Sequence, residues 1–595
     1  TKNSAARMFL IVAALFMSVT FVYSQTESAR IQGSVSDKNG AAIAGATVTV
    51  TDLTTNRAVT AQTNGNGEYS ILSLLPGRYR IEVSQSNFKT LRQEITLEVQ
   101  QVAVLNFSLE PGEVSAVVEV TSDAPLVESA TSSVGEVISG LEAVELPLNG
   151  RNVLELARLT PGVTQGVIGG FASGSGNNAE TYRGGNTGGA AISVNGQRTQ
   201  ANNFLLDGVD NNESLVNTIN IFPAAEAVQE FRVQTSVATA EFGRGGGAII
   251  NSVTKSGNSR FYGSAFLFIR NDDLDARPTF NTEKSEFRRG QFGGTVGGPI
   301  PFFGKDRLFF FADYEGLRQF LPFGQELATV PTAEFRNGNF AALLDPSINI
   351  QLIDPLTGNP IAGNRIDLLP GNRMNAVALN YLRAYPLPNR PGVFQNYAVT
   401  RNQTVQQDTF DIRVDSTINE SNQLFGRFSW GRSDQTTSSR LPALPAGFGS
   451  GTNPTRTRGA VVGLSTVLNQ NLFNEFRIQA NRIKYGYTPP FFDTPISANL
   501  GIPNANRDSS LGGGALIGGY NGQLEYTGDF GPYIIPQDTY QIVDSISYTA
   551  GKHIFKFGGT ILRRDVALYR PNRGKGYFFL IGNGDPSQCG GAAST

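Results

Sequence analysis

Across 595 residues the chain has one cysteine, Cys589, and one histidine, His553. A lone cysteine excludes an internal disulfide and any cysteine-based zinc cluster. A lone histidine excludes a multi-histidine metal site. His553 would also have to serve any Ser/His/Asp arrangement, yet it opens a strand-like run, Lys552-His-Ile-Phe-Lys-Phe557, beside a tight turn. No G-x-S-x-G elbow accompanies it, and no P-loop occurs. The expectation is no enzymatic activity, no catalytic residues, no cofactor and no bound metal. Net charge is also lacking: −2 at neutral pH gives no argument for nucleic acid. Beyond the first two dozen residues no stretch approaches 18 apolar residues, so no helical membrane span is expected.

Glycine and aromatics, by contrast, are plentiful. Gly 67, Phe 39 and Tyr 18 suit many strands, tight turns and aromatic girdles. At 40% hydrophobic and 16% charged the composition belongs to folded chains, and the length calls for several domains. Lys2 and Arg7 precede an apolar run from Met8 to Met17, extended by Val19, Phe21 and Val22. Val22-Tyr23-Ser24 before Gln25 suits cleavage, so residues 1–24 read as a signal peptide.

Residues 30–110 carry short strands at about ten-residue spacing, the pattern of a β-sandwich. Ile31–Ser36 alternates apolar and polar, the turn Asp37-Lys-Asn-Gly40 follows, and Val48 and Val50 share one face of the next strand. Further strands are expected near Tyr69, 74–83, Ile95–Val99 and Val102–Leu109. Residues 111–128 form a linker with a valine-rich string, Val117, Val118, Glu119, Val120 and Thr121. Residues 129–257 mix short strands, a short amphipathic helix over Val153–Leu159 and glycine-rich loops. Within them Gly243-Arg-Gly-Gly-Gly-Ala248 fits a loose GxGxxA pattern, but a strand follows it, which excludes a dinucleotide-binding unit. Asp207, Asp210 and Glu213 lack EF-hand spacing and are expected on a solvated turn.

From 258 onward the strands lengthen and alternate. Phe410, Ile412 and Val414 oppose Asp411, Arg413 and Asp415. Leu424, Phe428 and Trp430 oppose Arg427 and Ser429. Phe476, Ile478 and Ala480 oppose Glu475, Arg477, Gln479 and Asn481. Charge-rich faces on long strands fit lipid outside and water inside. Nine strands are expected, near 259–270, 289–299, 307–318, 405–416, 422–432, 458–468, 471–484, 537–550 and 552–564, with surface loops at 319–404 and 485–536. Hydrocarbon does not tolerate an open sheet edge, and plugged-lumen transporters close at about 22 strands. The expectation is therefore that 258–595 is the N-terminal part of a truncated barrel.

Two resemblances sharpen this reading. Gly33, Val35, Asp37, Gly40, Gly45, Ala46, Val48, Val50, Thr63, Gly67, Tyr69, Leu74, Pro76, Gly77 and Tyr79 resemble the pattern of the carboxypeptidase regulatory-like domain. That module is a prealbumin-like sandwich, grouped with carbohydrate-binding-like folds, and is the accessory part of such peptidases. The stretch Val228 to Arg270 resembles the end of the plug and the first barrel strand of a TonB-dependent outer-membrane receptor. It contains Glu230–Thr235, Phe242-Gly243, Gly245–Gly247 and Ile249–Gly257. Ile192–Arg198 and Asn203–Val209 resemble the paired "V-N-G-x-R … L-D-G-V" strands of its Oar-like branch, and Tyr182-Arg183-Gly184 the plug's arginine-glycine motif.

The resemblance implies a mainly β chain: N-terminal β-sandwich, α+β plug over 129–257, and an incomplete transmembrane antiparallel β-barrel. It implies a plug motif at Tyr182, Arg183, Gly184, Asp207, Gly208, Gly243 and Gly245. It places Val117–Thr121 where TonB, of the inner-membrane energy-coupling complex, pairs by strand addition. The implied location is the bacterial outer membrane, in contact with its lipid, with the N-terminal domain in the periplasm. The implied function is TonB-dependent uptake of an extracellular substrate that the sequence does not name. Two other readings stay open: a surface adhesion or structural protein, and a sensor signalling through its N-terminal domain.

Overall fold

The computed structural model describes residues 28–569 and 577–580, apart from 115–116, 121–133, 147, 149–150, 167–191, 216, 237–239, 278, 280–283, 285, 302–306, 372, 443, 445–449, 507–515, 520–523, 526, 529–531 and 552. The segment expected to be a signal peptide lies outside the described residues.

The N-terminal sandwich has two sheets. β1 (Ala29–Asp37) is flanked by β4 (Glu68–Leu74) and, in parallel, by β7 (Val102–Val104) and β8 (Phe107–Leu109). The second sheet runs in the order β3-β2-β5-β6-β9, from β2 (Thr47–Asp52), β3 (Ala58–Gln62), β5 (Gly77–Ser84), β6 (Thr90–Leu97) and β9 (Val117–Val120). Ile31, Val35, Val48, Ile81 and Val83 are fully buried between them. At about 1.5–3 kcal/mol each, such side chains give the sandwich a core of its own. β3 is an addition to the expected strands. Its residues Ala58–Gln62 are mostly exposed and polar-flanked, so alternation alone does not mark them.

The inner domain follows. Its five-stranded sheet runs β10-β15-β16-β13-β14, from β10 (Val134–Ser139), β13 (Asn203–Leu206), β14 (Val209–Asp210), β15 (Val228–Ser236) and β16 (Ile249–Thr254). A six-residue helix, Gly140–Glu145, starts in a capping box between Ser139 and Glu142. Val153–Leu159 is helical as its apolar spacing predicts, but is wound as a 3₁₀ helix. The expected pairing of Ile192–Arg198 with Asn203–Val209 is corrected. β12 (Ile192–Val194) pairs with β11 (Val163–Gln165), while β13 pairs with β14 and β16. Both short segments are apolar, and nothing local in them specifies which neighbour each takes.

The third unit is a nine-stranded antiparallel meander. In order it comprises β17 (Tyr262–Asn271), β18 (Arg288–Pro299), β19 (Leu308–Ala328), β20 (Tyr397–Asn419), β21 (Asn422–Thr437), β22 (Gly451–Asn469), β23 (Leu472–Tyr487), β25 (Tyr533–Ala550) and β26 (His553–Val566). β24 (Leu516–Gly519) lies outside it and pairs in parallel with β27 (Tyr577–Leu580). Nine strands stand where nine were expected, and the sheet is open: β17 and β26 are its edges.

Burial along these strands is inside-out. Arg427, Arg477 and Gln541 are 5% exposed or less, while outward Phe428, Ile478 and Tyr540 are each about 40% exposed. A soluble sandwich would show the reverse. Here the concave face is covered by the inner domain, and the convex face is an apolar surface of the kind lipid covers. No helix among the described residues is long and apolar enough to cross a membrane.

Short connections, such as Asn419–Asn422 and Asn469–Leu472, gather at one end of the sheet. The sandwich sits at that end. Ser259 N–H donates to Thr54 O at 3.1 Å, and Ser28 Oγ to Glu475 Oε1 at 2.6 Å. The long connections at the other end are corrected. β19 and β20 reach Ala328 and Tyr397, so the insert is 329–396, and it folds into 3₁₀ turns and a helix, Ala376–Ala384. Likewise β23 and β25 shorten the second expected loop.

Candidate functional site

Two groups of contacts fix the inner domain, one to the barrel wall and one to the sandwich. The wall contacts begin at a two-residue hairpin between β13 and β14. Asp207 and Gly208 both have positive φ, 50° and 69°, the geometry for which Asp-Gly is the preferred pair. The turn lifts the Asp207 side chain out of the sheet into the wall. The carboxylate is completely buried. It accepts from Thr254 N–H at 2.8 Å and from Arg413 Nη1 at 3.2 Å. Arg427 Nε stands 2.6 Å away, a charge contact off the line of its N–H. Burial pushes this carboxyl up, but Arg427 and Arg413 outweigh it and hold it below the usual carboxylate range.

Asp210 and Glu213 continue the same edge. Asp210 N–H donates to Gln541 Oε1 at 2.8 Å, its carbonyl accepts from Gln479 Nε2 at 2.6 Å, and its carboxylate pairs with Arg564 and, at 3.4 Å, with Arg244. Glu213 accepts from Gln537 and Tyr485, the latter at 3.3 Å. The expected solvated turn is therefore overturned: all three acids are buried and tied to barrel residues at least 200 positions away. They do not converge on one point, since each faces its own partners. Arg413, Arg427 and Gln479 were marked by the sequence only as members of polar strand faces.

The sandwich contacts lie on the opposite part of the inner domain. β6 runs directly into a turn at 98–101. There Val99 N–H donates to the Glu230 carboxylate, Arg232 Nη1 to Val99 O at 3.0 Å, and Gln234 Nε2 to Gln100 Oε1 at 3.1 Å. Glu230, Arg232 and Gln234 are alternate residues of β15 and share one face. A small cavity of about 70 Å³ remains between sandwich and barrel, lined by Asp52, Arg57, Tyr79, Arg413 and Glu475 among others. It has room for a few waters.

Of the residues singled out in the sequence, Val117, Val118, Glu119 and Val120 form β9, the edge strand of the sandwich, paired in parallel with β6 from Thr90↔Val117 to Gln93↔Val120. The string is thus docked rather than loose, and Val117, Val118 and Glu119 are exposed. Thr121 lies outside the described residues, as do Tyr182, Arg183 and Gly184. Gly243 O accepts from Asn203 Nδ2 at 2.9 Å. A Cβ at Gly243 would meet nothing, and one at Gly245 would touch Ala248 O at 3.3 Å. The tight position of that cluster is Gly247, where a Cβ would stand 2.5 Å from Asn202 Oδ1.

An open meander with a polar concave face, an apolar convex face and a separate domain in its concavity defines an outer-membrane β-barrel protein. Residues 253–593 match the outer membrane beta barrel domain, and the chain belongs to that family. Residues 30–110 match the carboxypeptidase regulatory-like domain.

The chain is a homologue of the TonB-dependent transporter Oar of Myxococcus xanthus, 29% identical over 318 residues, which cover 51% of this chain and 28% of that protein. The chain thus matches little more than a quarter of the length of this curated relative. Among solved structures it is similar to the outer membrane transporter YddB from Escherichia coli, at TM-score 0.44 and 12% identity over 73% of this chain and 49% of that one. The siderophore receptor PirA from Acinetobacter baumannii compares at TM-score 0.41, 12% identity, 74% and 49%. The protein is placed in the outer membrane.

Proposed function

We propose that the chain belongs to a receptor that takes up a substrate by TonB-dependent active transport, with the inner domain as a plug and the sandwich in the periplasm. The observation that carries this reading is how the inner domain is held. Its Asp207–Glu213 edge meets the barrel wall through discrete hydrogen bonds and ion pairs rather than an apolar seal. Such contacts break and re-form singly, as a plug that must rearrange requires. Short turns face the periplasm in such barrels, and the sandwich is seated at the short-turn end. No nucleotide site is needed, because the energy would arrive through TonB.

The structure suggests a route for that energy. β9 is bonded to β6, β6 leads into Val99, and Val99 is bonded to β15, the second strand of the inner sheet. β15 pairs with β16 and β16 with β13, which ends at Asp207. A pull on β9 would reach the Asp207 lock through paired strands.

The test uses the intact protein and a purified TonB C-terminal domain. Successive amides of a strand point to opposite sides, so Val118 and Val120 share one side and Glu119 takes the other. Proline removes the donor. The V118P, V120P and E119P variants separate the edge that meets β6 from the free edge. Binding by wild type, lost at least tenfold in the variants on one side while the barrel stays folded, is the expected result. A folded wild type that binds no TonB would overturn transport and favour adhesion.

A further inference from the structure

The sandwich does more than rest on the short-turn end of the sheet. Ala29 and Ile31 lie in its core, so Arg30 and, just before β1, Ser28 turn the other way. There they meet the concave face of the barrel. Ser28 Oγ donates to Glu475 Oε1, and Glu475 is an inward residue of β23, 1% exposed. Arg30 is itself buried. Burial draws its guanidinium below the ordinary range, and the carboxylates of Glu241 and Glu475 act against that. Glu241 belongs to the inner domain and pairs with Lys556 of β26 at 3.0 Å. Arg30 of the sandwich thus stands where all three units meet.

Around this point the seat is made of single polar contacts. Thr54 O accepts from Ser259 Oγ at 2.8 Å as well as from its N–H. Arg57 Nη2 donates to Glu420 O at 3.5 Å, in the turn between β20 and β21. The bonds from Val99 and Gln100 to β15 complete the seat. Such bonds exchange for water at little net cost. Among the described residues Arg30 Nη1 and Glu475 Oε2 have no hydrogen-bond partner, and buried groups left so are a cost of the seated state.

The sandwich keeps its core whether seated or not, because that core is made of its own residues. It is therefore able to leave as a rigid unit. While it is seated, the space between it and the wall is the cavity of about 70 Å³, to which Ser465 and Arg477 also contribute. That volume holds a few waters and nothing much larger.

We propose that the sandwich is a second stopper, latched by Arg30 at the periplasmic end of the concave face, and that it must lift off as a unit before a substrate can leave along this wall. The passage of substrate rests on the transport reading, whereas the latch does not.

Cysteine reporters test the latch in the intact protein, with Cys589 changed to serine. S465C puts a thiol beneath the sandwich, opposite Glu475. T539C puts one between Gln537 and Gln541, which the inner domain covers. The readout is the rate of labelling by a polyethylene-glycol maleimide too large for the cavity. S465C is expected to label at least tenfold more slowly in the folded protein than after unfolding in urea. R30A should speed it at least tenfold and R30K should not. E475Q, which removes the opposing charge from the barrel side, should follow R30A. T539C should stay protected throughout. Labelling of S465C at the unfolded rate in the folded parent would overturn the stopper. So would protection that survives both R30A and E475Q. An equal rise at T539C would place the movement in the inner domain and overturn it as well. Failure to bind TonB, measured separately, would sink transport and leave the latch standing.

Discussion

Replacing Asp207 by alanine is expected to destabilise the seat of the inner domain by about 3–5 kcal/mol, because it leaves the buried Arg413 and Arg427 guanidiniums without their shared carboxylate. Amide hydrogen exchange in β13–β16 is the measurement. A loss of that size speeds exchange a hundredfold or more, at tenfold per 1.4 kcal/mol. D207N separates charge from backbone, since asparagine tolerates the positive φ at this turn. It should keep the hairpin and still lose most of the stability. D207L with R413M and R427M should recover much of it, since a buried ion pair often contributes no more than well-packed apolar residues do.

The pH dependence has a definite sign. The folded carboxyl lies below its unfolded value, so the contribution is complete above about pH 3.9 and is lost as pH falls through the lower folded value. A change under about 1 kcal/mol in D207A would sink the idea that this residue locks the domain.

The second large effect is expected in the sandwich. A Cβ on Gly33 would stand 1.7 Å from Leu105 O and 2.6 Å from its carbonyl carbon, both backbone. Leu105 is itself held there by a 2.8 Å hydrogen bond from its N–H to Gln32 O. G33A must therefore part β1 from the 105 segment. Overpacking of this kind costs about 3 kcal/mol, which lowers melting of a domain this size by roughly 10–20 °C.

Gly40 makes the contrast. Its φ is +81° and a Cβ there would meet nothing. G40A then costs only the left-handed backbone, about 1 kcal/mol. Thermal unfolding of the 28–120 sandwich, which has its own core, ranks the two. If G40A proved the more damaging, the close-approach explanation of Gly33 would fail.

These residues also show what the sequence made legible. Gly33 and Gly40 belong to one spaced pattern, and the pattern pointed to the sandwich without saying that one glycine serves a contact and the other a turn. Strand number in the barrel was legible because lipid enforces strict alternation between Phe410, Ile412 and Val414 and their polar neighbours. Strand length was not. Beyond Arg318 apolar residues fall on both faces of β19, as Phe320, Leu321 and Phe323 do, and before Val405 both faces of β20 are largely polar, so the period-two signal fades while the hydrogen bonding continues.

The acids at 207, 210 and 213 were misread for a related reason. In a glycine- and asparagine-rich segment, a carboxylate facing water and one facing an arginine 200 residues away have the same local sequence. Asp-Gly told of the hairpin and said nothing about what its tip would meet. β9 was placed by its valines as a strand, but its partner, β6, could not be read from them.

The parallel pairing of β9 with β6 has a mechanical consequence. Only four residue pairs join the two strands. Pulled sideways from one end, such a pair opens like a zipper, bond after bond, at low force. Pulled lengthwise, all its bonds are loaded together, and the pair holds until a much higher force shears it. A protein that grips β9 therefore meets a joint whose strength depends on direction. A sideways pull peels β9 away and leaves the sandwich in place, whereas a lengthwise pull carries the strain through Val99 into the inner sheet.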